Sequence, residues 1–303
     1  MGAFRISERE MVSVPPDIFL GLVTHAATSF PASSGDEGLL RGLQAQLRLH
    51  GVSSEARIHD EDAWSPEVVQ IDRSAILRSI DAELRVESQW RRWHGSAKFR
   101  PRLQLEIWAR KLHRRRKYLP MGKAIDQDHP GFRMIRRLVN IEMAHVTLLR
   151  EACDSGLDWA LILEDDASGR PEVIAEMLVH FFEAVSGREQ PFYVNMSRSF
   201  SVKRLGVESA LVQQIALPSS QGAVQLVASE KAVTNTVCAV LYRKSFLERL
   251  VHVMDEIPVD PVIPIDWKLN LALMDLTETG LLAPGDCWLA EPAPIIQSSM
   301  HAS

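Results

Sequence analysis

Cysteine is scarce: Cys153, Cys238 and Cys287 are the only three in 303 residues, odd in number and far apart. That excludes a disulfide framework and zinc-binding spacing, and predicts a reducing compartment. Neither a G-x-G-x-x-G nor a Walker A sequence occurs, so dinucleotide-binding and P-loop chemistry lose their sequence support. No stretch approaches the roughly 18 apolar residues of a membrane span. Met1 to Val14 is charged and lacks an apolar h-region, so no signal peptide is expected and a cytoplasmic location is. What remains is ordinary for a soluble chain, 46% hydrophobic and 24% charged. A chain this long buries about 75% of its unfolded surface, enough for one large domain or two small ones.

The net charge of −5 conceals an asymmetry. Between Gln89 and Lys123 stand twelve lysines and arginines and one acid, Glu106, a local +11 that leaves −16 for the rest. Arg100 to Tyr118 has helical spacing, with Leu105, Trp108 and Leu112 on one stripe and cations filling much of the remainder. A basic amphipathic helix with tryptophans is suited to an anionic membrane surface. It is equally consistent with a solvated helix whose arginines pair with the acidic remainder. Nucleic acid is not expected, because the rest of the chain repels phosphate.

The chain is organised around Asp158-Trp159-Ala160-Leu161-Ile162-Leu163-Glu164-Asp165-Asp166-Ala167. The unbroken apolar run from Trp159 to Leu163 predicts a strand buried on both faces, and it stops abruptly at three adjacent carboxylates. Acids at the carboxyl end of a central strand sit where α/β sheets place ligands. Strand alternation puts Glu164 and Asp166 on one side and Asp165 on the other. Two convergent carboxylates are hard oxygen ligands for a divalent ion that also holds a phosphate-bearing substrate. An acidic turn at a helix N-terminus is the plainer reading.

Leu161 to Ala167 resembles the metal-binding motif of glycosyltransferases with the GT-A fold, in the form found in glycosyltransferase family 25, which builds lipopolysaccharide and other glycans from nucleotide sugars. The helix before it, with Asn140-Ile141-Glu142-Met143-Ala144-His145, Leu148-Leu149-Arg150 and Gly156-Leu157-Asp158-Trp159, is similar to that family's. Ala144 stands where a serine is usual, and the similarity covers about residues 133–167. The resemblance implies an α/β, GT-A-like (Rossmann-like) fold with a mixed, mostly parallel central sheet flanked by helices and a basic helical insertion at about 89–123. It also implies a single domain over residues 1–303, with a nucleotide-binding half at about 17–167 and an acceptor half at about 168–303.

In order, Asp17 to Thr24 predicts the first strand, Leu39 to Leu49 a helix, and Val52 to Ile58 a second strand. Ser65 to Trp93 and Phe132 to Cys153 have helical patterns, and Gly122 to Pro130 reads as a polar loop. His145 falls on the core face of its helix, one turn from Glu142, as a hydrogen-bonded core histidine or as part of the site. Arg133, Arg136 and Arg137 stand near the N-terminal end, where cations gain nothing from the helix dipole and an anion would explain them. Pro171 to Val185 predicts a helix and Pro191 to Asn195 a strand whose polar end, Asn195 to Ser199, faces donor or acceptor. Ser201 to Ser220 reads as irregular, Ala223 to Ala228 and Thr234 to Tyr242 as strands, and Arg243 to Met254 as a helix. Asp266-Trp267 opens an apolar helix after a proline-rich loop, where Asp266 as a cap contributes ~1 kcal/mol.

The resemblance further implies roles. Thr24, His25 and Asp60 meet the nucleotide, Arg137 the diphosphate, and Asp165 the ribose or donor sugar. Glu164, Asp166 and His301, in a proline-stiffened tail that packs back, hold Mn²⁺ (or Mg²⁺). Asp266 is the base of an inverting transfer, with Asp260 in reserve and Trp267 stacking on an acceptor sugar. The expected function is transfer from a nucleotide-diphosphate sugar, UDP-sugar by default, to a glycan or lipid-linked hydroxyl. The alternatives are a nucleotidyltransferase using the same acids and a non-catalytic, basic-surface binding protein.

Overall fold

Strand β1, Ile18–Val23, is buried along its whole length and forms a parallel ladder on both sides, with β2 (Ser54–His59) and with β3 (Trp159–Glu164). A Cβ at Gly21 would lie 2.7 Å from Ile162 Cδ1 and 3.3 Å from Leu148 Cδ1, so glycine lets β1 approach its neighbours closely. The computed structural model describes residues 16–24, 36–59, 63–95, 100–188, 193–198, 211–218, 222–232, 234 and 236–297.

The main sheet has eight strands in the order β2-β1-β3-β9-β5-β10-β8-β7, where β5 is Tyr193–Asn195, β7 Leu211–Leu217, β8 Val224–Ser229, β9 Ala239–Arg243 and β10 Cys287–Glu291. Strands β9 and β8 run against the other six, so the sheet is mixed but mostly parallel in direction, compatible with a Rossmann-like fold. A second sheet of three short strands, β4 (Ala167–Ser168), β11 (Ile295–Gln297) and β6 (Ser197–Arg198), lies in the order β4-β11-β6.

Helices cover both faces. On one, α1 (Asp36–Leu49) and α5 (Pro171–Val185) pack Leu40, Leu43, Ile174 and Phe181 against Leu20, Leu161 and Leu163. On the other, α4 (Pro130–Ser155), α6 (Lys244–Glu256) and α7 (Ile265–Glu278) pack Leu148, Leu250 and Leu273 against Phe19, Ala160 and Ile162. Alternate residues of β3 therefore serve opposite core layers, which is why its apolar run has no polar break; each large side chain contributes about 1.5–3 kcal/mol. Helix α4 starts at Pro130, where His129 Nδ1 accepts from the Gly131 N–H at 3.2 Å, and ends at Gly156 in the left-handed conformation (φ 75°). Its antiparallel course sets its N-terminal half beyond the carboxyl edge of β3.

The remaining helices form a hairpin, α2 (Arg73–Trp93) and α3 (Arg100–Tyr118). Helix α2 begins eight residues later than the periodicity of 65–93 suggests, because the Asp72 carboxylate accepts from the Ala75 N–H at 2.7 Å and fixes the N-cap there. Residues 211–217, expected to be irregular, form the edge strand β7, and the strand expected from Thr234 starts only at Ala239. Among the described residues no helix is long and apolar enough to cross a membrane.

Candidate functional site

Glu164 is the last residue of β3 and the turn that follows holds Asp165 and Asp166. Its register opposite Val23, and the bond from its N–H to the Cys238 carbonyl at 2.9 Å, place it at the sheet's carboxyl edge between β1 and the approach to β9. The strand stops at Glu164, yet ligand atoms of Glu164, Asp166 and Cys238 lie within 4.8 Å of one another. The turn at Asp165–Asp166, not strand alternation, brings the two carboxylates together. The thiol comes from a residue on the neighbouring antiparallel strand's lead-in, which no local pattern reveals.

Each carboxylate is held by a partner remote in sequence. His145 Nε2, buried on α4, donates to Glu164 Oε1 at 3.1 Å. The core histidine and the site histidine are thus the same residue. Gln297 Nε2 donates to Asp166 Oδ2 at 3.0 Å, and β11 can deliver it because Gln297 is paired with Ala167 across the small sheet. Thr236 Oγ1 donates to Gln297 Oε1 at 3.3 Å and accepts from the Cys238 N–H at 3.3 Å. The Cys238 thiol closes the ring on Asp166, and burial first, then the charges of Glu164, Asp166 and Asp165, drive its acidity far below that of an ordinary thiol.

Asp266 lies in the first turn of α7, two residues past its Pro264 N-cap, so it is not the cap. The Trp267 N–H donates to its Oδ1 at 3.0 Å. Part of the side chain reaches solvent, yet protein atoms crowd the carboxyl, and this desolvation pushes its pKa up to about 6. Glu164 pushes in the same direction and Arg114 of α3 opposes, so the three charges share one region of the molecule. Behind them Lys268 Nζ meets Glu142 Oε1 at 2.5 Å in a fully buried pair between α7 and α4. Burial raises the Glu142 pKa and Lys268 counters it.

The other expected positions divide. Thr24 follows the residue aligned with Glu164, and its hydroxyl donates to the His59 carbonyl at 3.3 Å, tying the ends of β1 and β2 together. Arg137 is exposed on α4, two turns before His145 and so about 12 Å farther along the axis, beyond the sheet edge. His25, Asp60 and His301 lie outside the described residues. Trp267 is partly buried and packs against Trp90, ring centroids 5.9 Å apart and nearly perpendicular, and against Ile263. Asp260 pairs with Arg78 at 3.1 Å and is half exposed. Asn195 and Ser197 turn inward: the Asn195 amide donates to the Thr236 carbonyl at 2.5 Å, and its Oδ1 accepts from the Ser197 N–H at 3.1 Å. They fix the loop that carries Thr236 and Cys238.

Comparison with family models and with curated proteins gives no match for this chain.

Proposed function

We propose that the protein is a metal-dependent, GT-A-like glycosyltransferase that moves a sugar from a nucleotide-diphosphate donor to the hydroxyl of a glycan or lipid-linked acceptor, with inversion. The observation that carries this reading is the convergence of Glu164, Asp166 and Cys238 within 4.8 Å at the carboxyl edge of β3, with Asp266 coupled electrostatically to Glu164. Glu164 and Asp166 would hold Mn²⁺ or Mg²⁺, since both supply hard oxygen atoms. When bound, such an ion offsets the charge of a diphosphate leaving group.

The chain's own groups have separable tasks. His145 and Gln297 orient the two carboxylates, so that neither must be ordered when the donor arrives. Above a pH of about 6 Asp266 is a carboxylate able to take the proton of an acceptor hydroxyl. The Lys268–Glu142 pair fixes the start of α7, and with it the position of Asp266. Asp165 would hydrogen-bond ribose or the donor sugar, and Arg137 the diphosphate.

A thermal-shift panel of nucleoside diphosphate sugars, each with and without Mn²⁺, tests the donor half. Stabilisation by one of them that requires the metal is expected, whereas no shift with any donor overturns the reading in favour of a non-catalytic protein. Analysis of the released product then decides the reaction: nucleoside diphosphate is expected, and pyrophosphate would mean nucleotidyl transfer. Asp266→Asn should leave donor binding intact and reduce transfer by about a hundredfold or more; equal transfer would take the base role from Asp266.

A further inference from the structure

Helix α3 is turned inside out. Four of its cations face α2: Arg110 meets Glu87 at 2.6 Å, Lys111 meets Asp81 at 2.9 Å, Arg115 meets Asp81 at 3.2 Å, and Arg114 pairs with Glu83. Its apolar stripe faces out, with Leu105 69%, Trp108 64% and Leu112 38% exposed. A helix that only covered a core would place those residues the other way round. Past its end Met121 is 95% exposed.

We propose that this face of the α2–α3 hairpin docks on an anionic lipid bilayer. The residues around the stripe supply the charge complement. Arg116 follows Leu112 by one turn, and Arg85 and Arg92 of α2 line, with Trp108, Ile107 and Leu84, an open groove of about 670 Å³ between the helices. Arg85, Arg92 and Arg116 are exposed and form no ion pair with a described residue. Leucine and tryptophan at spacing i, i+3, i+7 lie along one line parallel to the helix axis, as a helix resting in the headgroup layer requires, and tryptophan suits that depth. Cations beside the line meet anionic headgroups, while the inward cations are already neutralised by α2 and add no repulsion. A folded partner fits less well, because a stable protein interface needs about 20–30 residues a side and this stripe supplies few large apolar ones.

The inference stands apart from the glycosyl-transfer reading, and its test does not use activity. Full-length protein is floated with vesicles of phosphatidylglycerol and phosphatidylcholine, or of phosphatidylcholine alone. Flotation with the anionic vesicles alone is expected, weakened by added salt. Leu105→Asp combined with Trp108→Asp should reduce binding about tenfold or more. Arg85→Gln, Arg92→Gln and Arg116→Gln should each reduce it about fivefold, and serve if the apolar variants fail to fold. Recovery of the wild type in the soluble fraction with anionic vesicles overturns the proposal, as does flotation that none of these substitutions weakens. A dimer in solution that Trp108→Asp dissociates, without vesicle binding, would assign the face to a second copy of the chain and overturn it equally.

Discussion

At the end of β3, carboxylates stand beside one another and a buried thiol, steadied by the side chains of His145 and Gln297. In the α2–α3 hairpin, Asp81, Glu83 and Glu87 each face at least one lysine or arginine across a helix–helix seam. Like charges gathered at a sheet edge raise one another's energy, and an arriving cation would lower it. Opposite charges across the seam are already compensated, at the half-exposed Asp81 as at the buried Glu83 and Glu87. Acids of the same type thus gather with one another in one region and face cations across a helix–helix seam in the other. The Lys268–Glu142 pair is intermediate, compensated like the seam but with both partners buried.

Removing one site acid gives the largest expected effect. Asp166→Ala should lower metal-dependent turnover about a thousandfold and abolish metal-dependent donor binding, measured by product release and by calorimetry with Mn²⁺. Full retention of both would make the acid turn as inert as the hairpin and end the contrast. Next comes the intermediate pair. Lys268→Met leaves Glu142 buried without its cation and should cost about 3–5 kcal/mol in urea unfolding at neutral pH. Because burial raises the Glu142 pKa, that loss should shrink as the pH falls and the lone carboxyl takes up a proton. Adding Glu142→Leu should restore much of the stability, since an apolar pair has no charge to desolvate.

The sequence made parts of both regions readable for local reasons. Helix α5 runs from Pro171 to Val185 as periodicity predicts, because a proline at the first position and an unbroken apolar face specify it without help. Glu164 and Asp166 are two residues apart, so their convergence needed only local geometry. Cys238 and Gln297 were illegible because they reach Asp166 through pairings of β9 with β3 and β11 with β4. Such register cannot be read from one segment. Strand β7 escaped notice because an edge strand with Val212, Gln213 and Gln214 all exposed has little apolar alternation. The stripe of α3 was visible, but periodicity defines a face without saying whether protein or solvent lies opposite it. Only the pairing of Arg110, Lys111 and Arg114 with α2 decides that the apolar side looks out.

A moderate effect is expected where the site's chemistry conflicts with stability. The folded Asp266 carboxyl has a pKa near 6 against 3.8 ordinarily, so between those values the native state holds more protons than the unfolded chain. Stability therefore falls as the pH rises from about 4 to about 6 and is lowest, in this contribution, above it. Asp266→Asn removes the charge and should raise stability by about 2 kcal/mol at pH 8 and by almost nothing at pH 4, in urea unfolding at the two values. A destabilised variant at pH 8 would mean that Asp266 is compensated by Arg114 as fully as the hairpin acids are by their cations.

The smallest effect belongs to the seam, and it is the sharpest check on the comparison. Asp81 takes both Lys111 and Arg115, at 2.9 Å and 3.2 Å, with 34–42% of each side chain exposed. Water screens such pairs, and the second cation replaces much of what the first would lose. Lys111→Ala should therefore cost at most about 0.5 kcal/mol in urea unfolding, and the double change Lys111→Ala/Arg115→Ala at most about 1 kcal/mol. The cost should vanish in high salt, where the Debye length falls to about 3 Å. A loss above about 2 kcal/mol that salt leaves unchanged would show that the seam is held as tightly as the buried Lys268–Glu142 pair. The outward turn of Leu105, Trp108 and Leu112 would then follow from strong inward pairing alone.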